Sequence, residues 1–88
     1  MSNVFYASAV TLDTFLEFNN VYKNYLRNIT STENMWGRCS GLTYSVDDLL
    51  ADYQANTCRI DLSMYSGVTN ANGMFSHCHF SAVHPKML

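Results

Sequence analysis

The chain has 88 residues, of which 48% are apolar and 14% are charged, and its net charge is −2. This composition is not that of a disordered chain, and the length predicts one domain spanning residues 1–88, too small for a sizeable substrate cavity. The five Lys and Arg residues are scattered, so we expect no nucleic-acid partner. No apolar run approaches the ~20 residues of a membrane span, so we expect no membrane association.

The cysteines indicate a cytoplasmic protein. Cys39, Cys58 and Cys78 are odd in number and lie in no Cys-x-x-Cys spacing, so reduced thiols are expected rather than a disulfide scaffold. The N-terminus has no basic region ahead of an apolar core, as a secretory signal would. No thiol-enzyme signature and no phosphate-binding glycine loop is present, so we expect neither an enzyme nor a cofactor.

The N-terminal part predicts a strand followed by a helix. Asn3–Val10 is rich in β-branched and aromatic residues and is short enough for a first strand. A helix is predicted from about Leu12 to about Asn28, with a capping box at Thr14–Glu17 or with Thr11 as an alternative cap. The apolar residues that recur at helical spacing, and that we expect to face inward, are Leu12, Phe15, Leu16, Tyr22, Tyr25, Leu26 and Ile29.

The middle of the chain predicts a long loop and a second helix. Thr30–Leu42 has no sustained period, and loops of this length are often functional; a short strand is expected near Cys39–Tyr44. Ser45 and Asp48 then cap a helix that ends near Asn56. Its inward residues are expected to be Val46, Leu49, Leu50 and Tyr53.

The C-terminal part predicts a β-hairpin. Residues of Thr57–Tyr65 alternate between apolar and polar side chains, and Met74–Val83 forms the second arm after turn signals at Ser66–Gly67 and Asn70–Gly73. We find no internal repeat. The predicted fold is therefore a small α+β domain, ordered strand, helix, loop, helix and β-hairpin, whose antiparallel sheet has helices packed on one face.

A partner-binding surface is predicted around the single tryptophan. Trp36 lies between polar loop residues, and Trp, Tyr, Met and Arg are the residue types that anchor protein interfaces. The alternative is that Trp36 folds back to close the core beneath the two helices. The residues predicted to bind a partner are Met35, Trp36, Arg38, Tyr44 and Tyr65.

The polar face of the hairpin predicts an alternative site. His77 and His79 would project from one side of a strand, and Asp61 on the neighbouring strand would supply a third metal ligand, with His84 as a further one. Such a site would make the protein a metal-binding or metal-dependent hydrolytic domain. The simpler interpretation, which we favour, is a solvated strand face with cross-strand polar pairs.

Small size, low charge, capped helices and the lack of a catalytic signature give the chain a likeness to certain phage products. In these respects it resembles the accessory proteins with which phages inhibit host enzymes or defence systems. The resemblance implies a non-enzymatic protein-binding module that blocks a host protein by occupying its surface. An open sheet edge beside Tyr65 or Phe75 also allows a two-fold homodimer.

Overall fold

The computed structural model describes residues 2–82. Two helices and a very short two-stranded parallel sheet form a mixed α and β structure, as the sequence predicts at that coarse level. In chain order the elements are α1 (Leu12–Leu26), β1 (Thr43–Tyr44), α2 (Val46–Gln54), a single 3-10 turn (Ser63–Tyr65) and β2 (His79–Phe80).

The helix starts follow local capping chemistry. The side chain of Thr11, the alternative cap, accepts the N–H of Thr14 at 3.3 Å, so α1 begins one residue after it. Ser45 and Asp48 form the predicted capping box at the start of α2. Helix α1 packs against the 3-10 turn.

Three short turn segments, which we call rungs, replace much of the predicted strand structure. The first rung is residues 2–7, the second 33–38 and the third 72–77, and they stack in parallel. Between the first and second rungs, the N–H groups of Asn3, Phe5 and Ala7 donate to the carbonyl oxygens of Glu33, Met35 and Gly37 at 2.8–2.9 Å. Between the second and third, Asn34, Trp36 and Arg38 donate to Asn72, Met74 and Ser76 at 2.6–2.9 Å.

Strand β1 and strand β2 extend this stacking. They pair in parallel, with Thr43 opposite His79 and Tyr44 opposite Phe80. An isolated parallel bridge between Ser31 and Asn70 marks the other end of the same stacked region. The last two rungs therefore belong to consecutive coils of the chain that run side by side.

Each rung is a pair of tight turns rather than an extended strand. Its backbone bends through positive φ at two positions four residues apart, as at Asn34 (φ 52°) and Arg38 (φ 57°). In the third rung the equivalent residues are Gly73 (φ 67°) and His77 (φ 62°). Hydrogen bonds from residue i to residue i−3 close each turn. The rungs are thus an internal structural repeat, which our sequence analysis missed.

The predicted antiparallel hairpin is wrong, and so is the first strand at Asn3–Val10. Burial alternates as predicted from Cys58 to Met64, so that Ile60 is buried and Asp61 is exposed. This segment nevertheless pairs with no strand among residues 2–82. A side chain of the segment hydrogen-bonds to its own backbone instead, because the Asp61 carboxylate accepts the backbone N–H of Ser63 at 2.9 Å. The second arm becomes the third rung and β2, and Val83 lies outside the described residues.

The core lies between α1 and the stacked rungs. Side chains at equivalent rung positions form columns, and Phe5 stacks on Trp36 with ring centroids 4.5 Å apart and planes 6° apart. The buried apolar side chains are Val10, Leu12, Phe15, Leu26, Met35, Trp36, Cys39, Leu42, Tyr44, Ile60, Met64, Tyr65 and Met74.

Candidate functional site

Trp36 lies at the centre of the core and not on a binding loop. Its side chain is fully buried, with Phe5 stacked on one face. Phe15 and Phe18 contact it edge-on at centroid distances of 4.8 and 5.4 Å. The expectation that Trp36 anchors a partner is therefore corrected: the alternative, core closure, describes its position.

Three more of the predicted partner-binding residues are buried. Met35 and Tyr44 are fully buried, and Tyr65 is nearly so. The hydroxyl of Tyr65 donates to Oδ1 of Asn19 on α1, and burial raises the pKa of Tyr65 to about 12. Only Arg38 of the predicted set is exposed. The predicted binding surface thus does not exist as a surface, because its apolar members fill the space beneath the rungs.

The alternative metal-site residues are separated onto different elements. Asp61 lies in the loop before the 3-10 turn, where the backbone N–H of Ser63 lowers the pKa of its carboxyl. His77 is exposed on the third rung and His79 on β2. No three His, Cys, Asp or Glu side chains among residues 2–82 converge as a metal site, and His84 lies outside that range. The predicted arrangement depended on the hairpin, which does not form.

The best-defined polar cluster is centred on Asp52, which is buried in α2. Its carboxylate accepts the hydroxyl of Tyr44 at 2.6 Å, Nε of Arg59 at 2.7 Å and the Arg59 backbone N–H at 3.4 Å. A second branch of the guanidinium, Nη2, donates to Asp48 at 2.9 Å. We call these four residues the Asp52 network.

The charges in this network hold one another ionised. Burial acts to raise the pKa of Asp52, but the hydrogen bonds from Tyr44 and Arg59 outweigh it, so this pKa lies below 3.8. The Ser45 backbone N–H and Arg59 also lower the pKa of Asp48. Burial, together with the nearby Asp52 carboxylate, raises the pKa of Tyr44 well above 10.

Such an arrangement is suited to holding parts of the fold together. Tyr44 stays protonated as a donor and Asp52 stays ionised as an acceptor at neutral pH, so neither is poised to exchange a proton. The network ties α2 to β1 and to the segment before Ile60. Sequence analysis did not identify it, because its members meet only after α2 is rotated to bury its acidic side.

That rotation leaves the apolar stripe of α2 in solvent. Val46, Leu50 and Tyr53 are 53%, 52% and 55% exposed, and their spacing places them on one side of the helix. We call these three residues the α2 face. The prediction that they point inward is wrong, while Leu49 is partly buried against the core.

Helix α1 carries a second exposed apolar surface. Val21, Tyr22 and Tyr25 are each at least half exposed, so the inward placement predicted for Tyr22 and Tyr25 is also wrong. Partly buried Phe18 lies beside them in a shallow groove. Apolar residues cover more than one side of α1, which was visible in the sequence as an apolar stripe too wide for one buried face.

Neither the helices nor comparison with known proteins identifies a class of protein. Within residues 2–82 no helix has the length and apolar character needed to cross a membrane. Comparison with known protein families, with curated proteins and with solved structures finds no match. The assignment of a function therefore depends on the surfaces described above.

Proposed function

We propose that this protein is a non-enzymatic binding module that acts by occupying the surface of another protein, in the manner of small phage inhibitors of host enzymes or defence proteins. The observation that supports this proposal is the α2 face. A helix that buries Asp52 and leaves three apolar side chains about half exposed has an orientation suited to an apolar partner.

The energetics favour a partner that covers this face. Full burial of a large apolar side chain contributes about 1.5–3 kcal/mol, and the side chains of the α2 face are about half exposed. Residues spaced as Val46, Leu50 and Tyr53 are the pattern by which an amphipathic helix binds a hydrophobic groove. We therefore propose an apolar groove on the partner as the complementary surface.

The proposal predicts that a charge on the α2 face abolishes binding without unfolding the protein. Leu50→Asp is the test variant, and Ala51→Asp is the matched control, because Ala51 is an exposed neighbour in the same helix. Partners captured from a bacterial lysate on the immobilised wild-type chain would be compared with those captured on each variant. Circular dichroism and urea unfolding would verify that both variants are folded.

We expect Leu50→Asp to lose a partner that Ala51→Asp retains. A truncated or charged hot-spot residue weakens binding by at least about 2 kcal/mol, or about thirtyfold in Kd. Equal retention by both variants would refute the role of the α2 face. If Val21→Asp instead removed the partner, the binding surface would lie on α1.

A further inference from the structure

Each outer rung has a row of backbone hydrogen-bonding groups whose equivalents in the middle rung are paired. In the second rung, the N–H groups of Asn34, Trp36 and Arg38 all donate to the third rung. The equivalent donors of the third rung belong to Gly73, Phe75 and His77. Among the described residues, no backbone carbonyl accepts from these three N–H groups. The third rung therefore ends the stack with a row of donors.

The first rung ends the stack with acceptors. In the second rung, the carbonyl oxygens that receive hydrogen bonds from the preceding rung belong to Glu33, Met35 and Gly37. Their equivalents in the first rung belong to Ser2, Val4 and Tyr6. Within residues 2–82 no backbone N–H donates to these oxygens. The two ends of the stack thus carry opposite and complementary hydrogen-bonding groups.

Side chains at the two ends of the stack are also less buried than their equivalents in the middle rung. Thr32, in the coil of the second rung, is fully buried, whereas Ala71, at the equivalent place beside the third rung, is exposed. At the other end, Val4 is 48% exposed although its equivalent Met35 is fully buried. Among residues 2–82, both ends of the stack lack a neighbour of the kind that covers the middle rung.

The end with donors also has room for a neighbour. A groove of about 550 Å³ lies along the third rung, and its lining is mostly apolar. The residues that line it are Leu62, Tyr65, Val68, Ala71, Gly73, Met74, Phe75 and Ser76. A first rung placed here would put its Val4 over Met74 and its Phe5 over Phe75, which continues the columns already formed inside one chain.

We infer that a second copy of this chain stacks its first rung on the third rung, pairing acceptors with donors across the groove. The pairing is head to tail. A two-fold dimer through the third rung would oppose N–H to N–H, so this edge is not self-complementary. Because each added copy again presents an open third rung, the association is heterologous and extends by successive addition.

Two variants test the arrangement, one at each end. Val4→Asp places a charge at the acceptor end, and Ala71→Asp places one at the donor end; both residues are exposed, so each variant should fold. A carboxylate buried without a partner should weaken association by about tenfold or more. Ala51→Asp, exposed on α2, is the matched control.

The measurement is molar mass by light scattering and sedimentation, over concentrations up to about 1 mM. The mean molar mass of wild type and of Ala51→Asp should increase with protein concentration, whereas each end variant alone should stay monomeric. An equimolar mixture of the two end variants should form a one-to-one heterodimer and nothing larger, because one intact donor end meets one intact acceptor end.

Three results would overturn the inference. Wild type could remain monomeric throughout, or the mixture could form no heterodimer. Val4→Asp alone could still form a dimer that Ala71→Asp cannot, which would indicate a two-fold contact through the third rung. Urea unfolding of each variant separates these results from a loss of fold, and Leu50→Asp separates rung stacking from association through the α2 face.

Discussion

Removal of the Asp52 carboxylate should destabilise the fold more than most single substitutions in a helix do. Asp52→Ala leaves the hydroxyl of Tyr44 in the core without its acceptor, and an orphaned buried donor costs about 1–3 kcal/mol. It also removes the charged bond to Arg59. That loss is smaller, on the order of 1 kcal/mol, because the Arg59 side chain is 36% exposed and keeps its bond to Asp48.

The expected total is about 2–4 kcal/mol, against a stability of about 5–10 kcal/mol for a domain of this length. Urea unfolding followed by circular dichroism would measure it. Asp47→Ala is the matched control, because Asp47 is an exposed carboxylate in the first turn of the same helix. Its removal should cost no more than about 1 kcal/mol through the helix dipole.

A double-mutant cycle identifies the cause of the loss. Tyr44→Phe removes the hydroxyl that Asp52→Ala would orphan, so the double variant should be about 1–2 kcal/mol more stable than the sum of the single effects predicts. A cost below about 1 kcal/mol for Asp52→Ala, or strict additivity in the cycle, would refute the Asp52 network as a structural tie.

Four further outcomes are expected. Gly73→Ala should lower stability by at least about 1–2 kcal/mol in urea unfolding, because φ is +67° and the added Cβ would meet the side chain of Asn34. Trp36→Ala should cost about 3–5 kcal/mol, whereas an exposed binding residue would leave stability unchanged. Since the pKa of Asp52 is below 3.8 in the fold, the unfolded chain takes up this proton first; wild-type stability should fall as pH drops from about 5 to about 3, and less steeply in Asp52→Ala. The pKa of Tyr65 is raised to about 12, so the urea midpoint should fall as pH rises from 10 towards 12, and it should fall less steeply in Tyr65→Phe.

Local signals predicted where both helices lie, although the capping box predicted at Thr14–Glu17 is wrong because α1 already begins at Leu12. The caps at Thr11 and Ser45 satisfy backbone N–H groups within three residues, so their effect does not depend on the rest of the fold. The alternating burial from Cys58 to Met64 was also predictable, because apolar periodicity reports which side chains are buried. It does not report whether the backbone finds a strand to pair with, and here Asp61 turns the chain instead.

The rungs were harder to predict, yet they left a trace in the sequence. Met35-Trp36 precedes Cys39 just as Met74-Phe75 precedes Cys78, and the paired residues occupy equivalent positions in the second and third rungs. Positive φ at Ala7 and Arg38 contradicts the residue preferences that a turn prediction uses. Stacking between rungs overrides those preferences, and such non-local hydrogen bonds cannot be inferred from one segment alone.

The orientation of α2 shows why helical periodicity failed at the candidate site. Judged by its own residues, the helix should bury Val46, Leu50 and Tyr53, which would stabilise it by several kcal/mol. The structure buries Asp52 instead, because Tyr44 and Arg59, which flank α2 in the sequence, provide the donors that a buried carboxylate requires. The free chain therefore leaves apolar burial unused along the whole α2 face. A partner groove that covers this face would recover that free energy without disturbing the Asp52 network. Leu50→Asp should therefore abolish partner capture while lowering the urea midpoint less than Asp52→Ala does, because Leu50 is already 52% exposed in the free chain and Asp52 is buried.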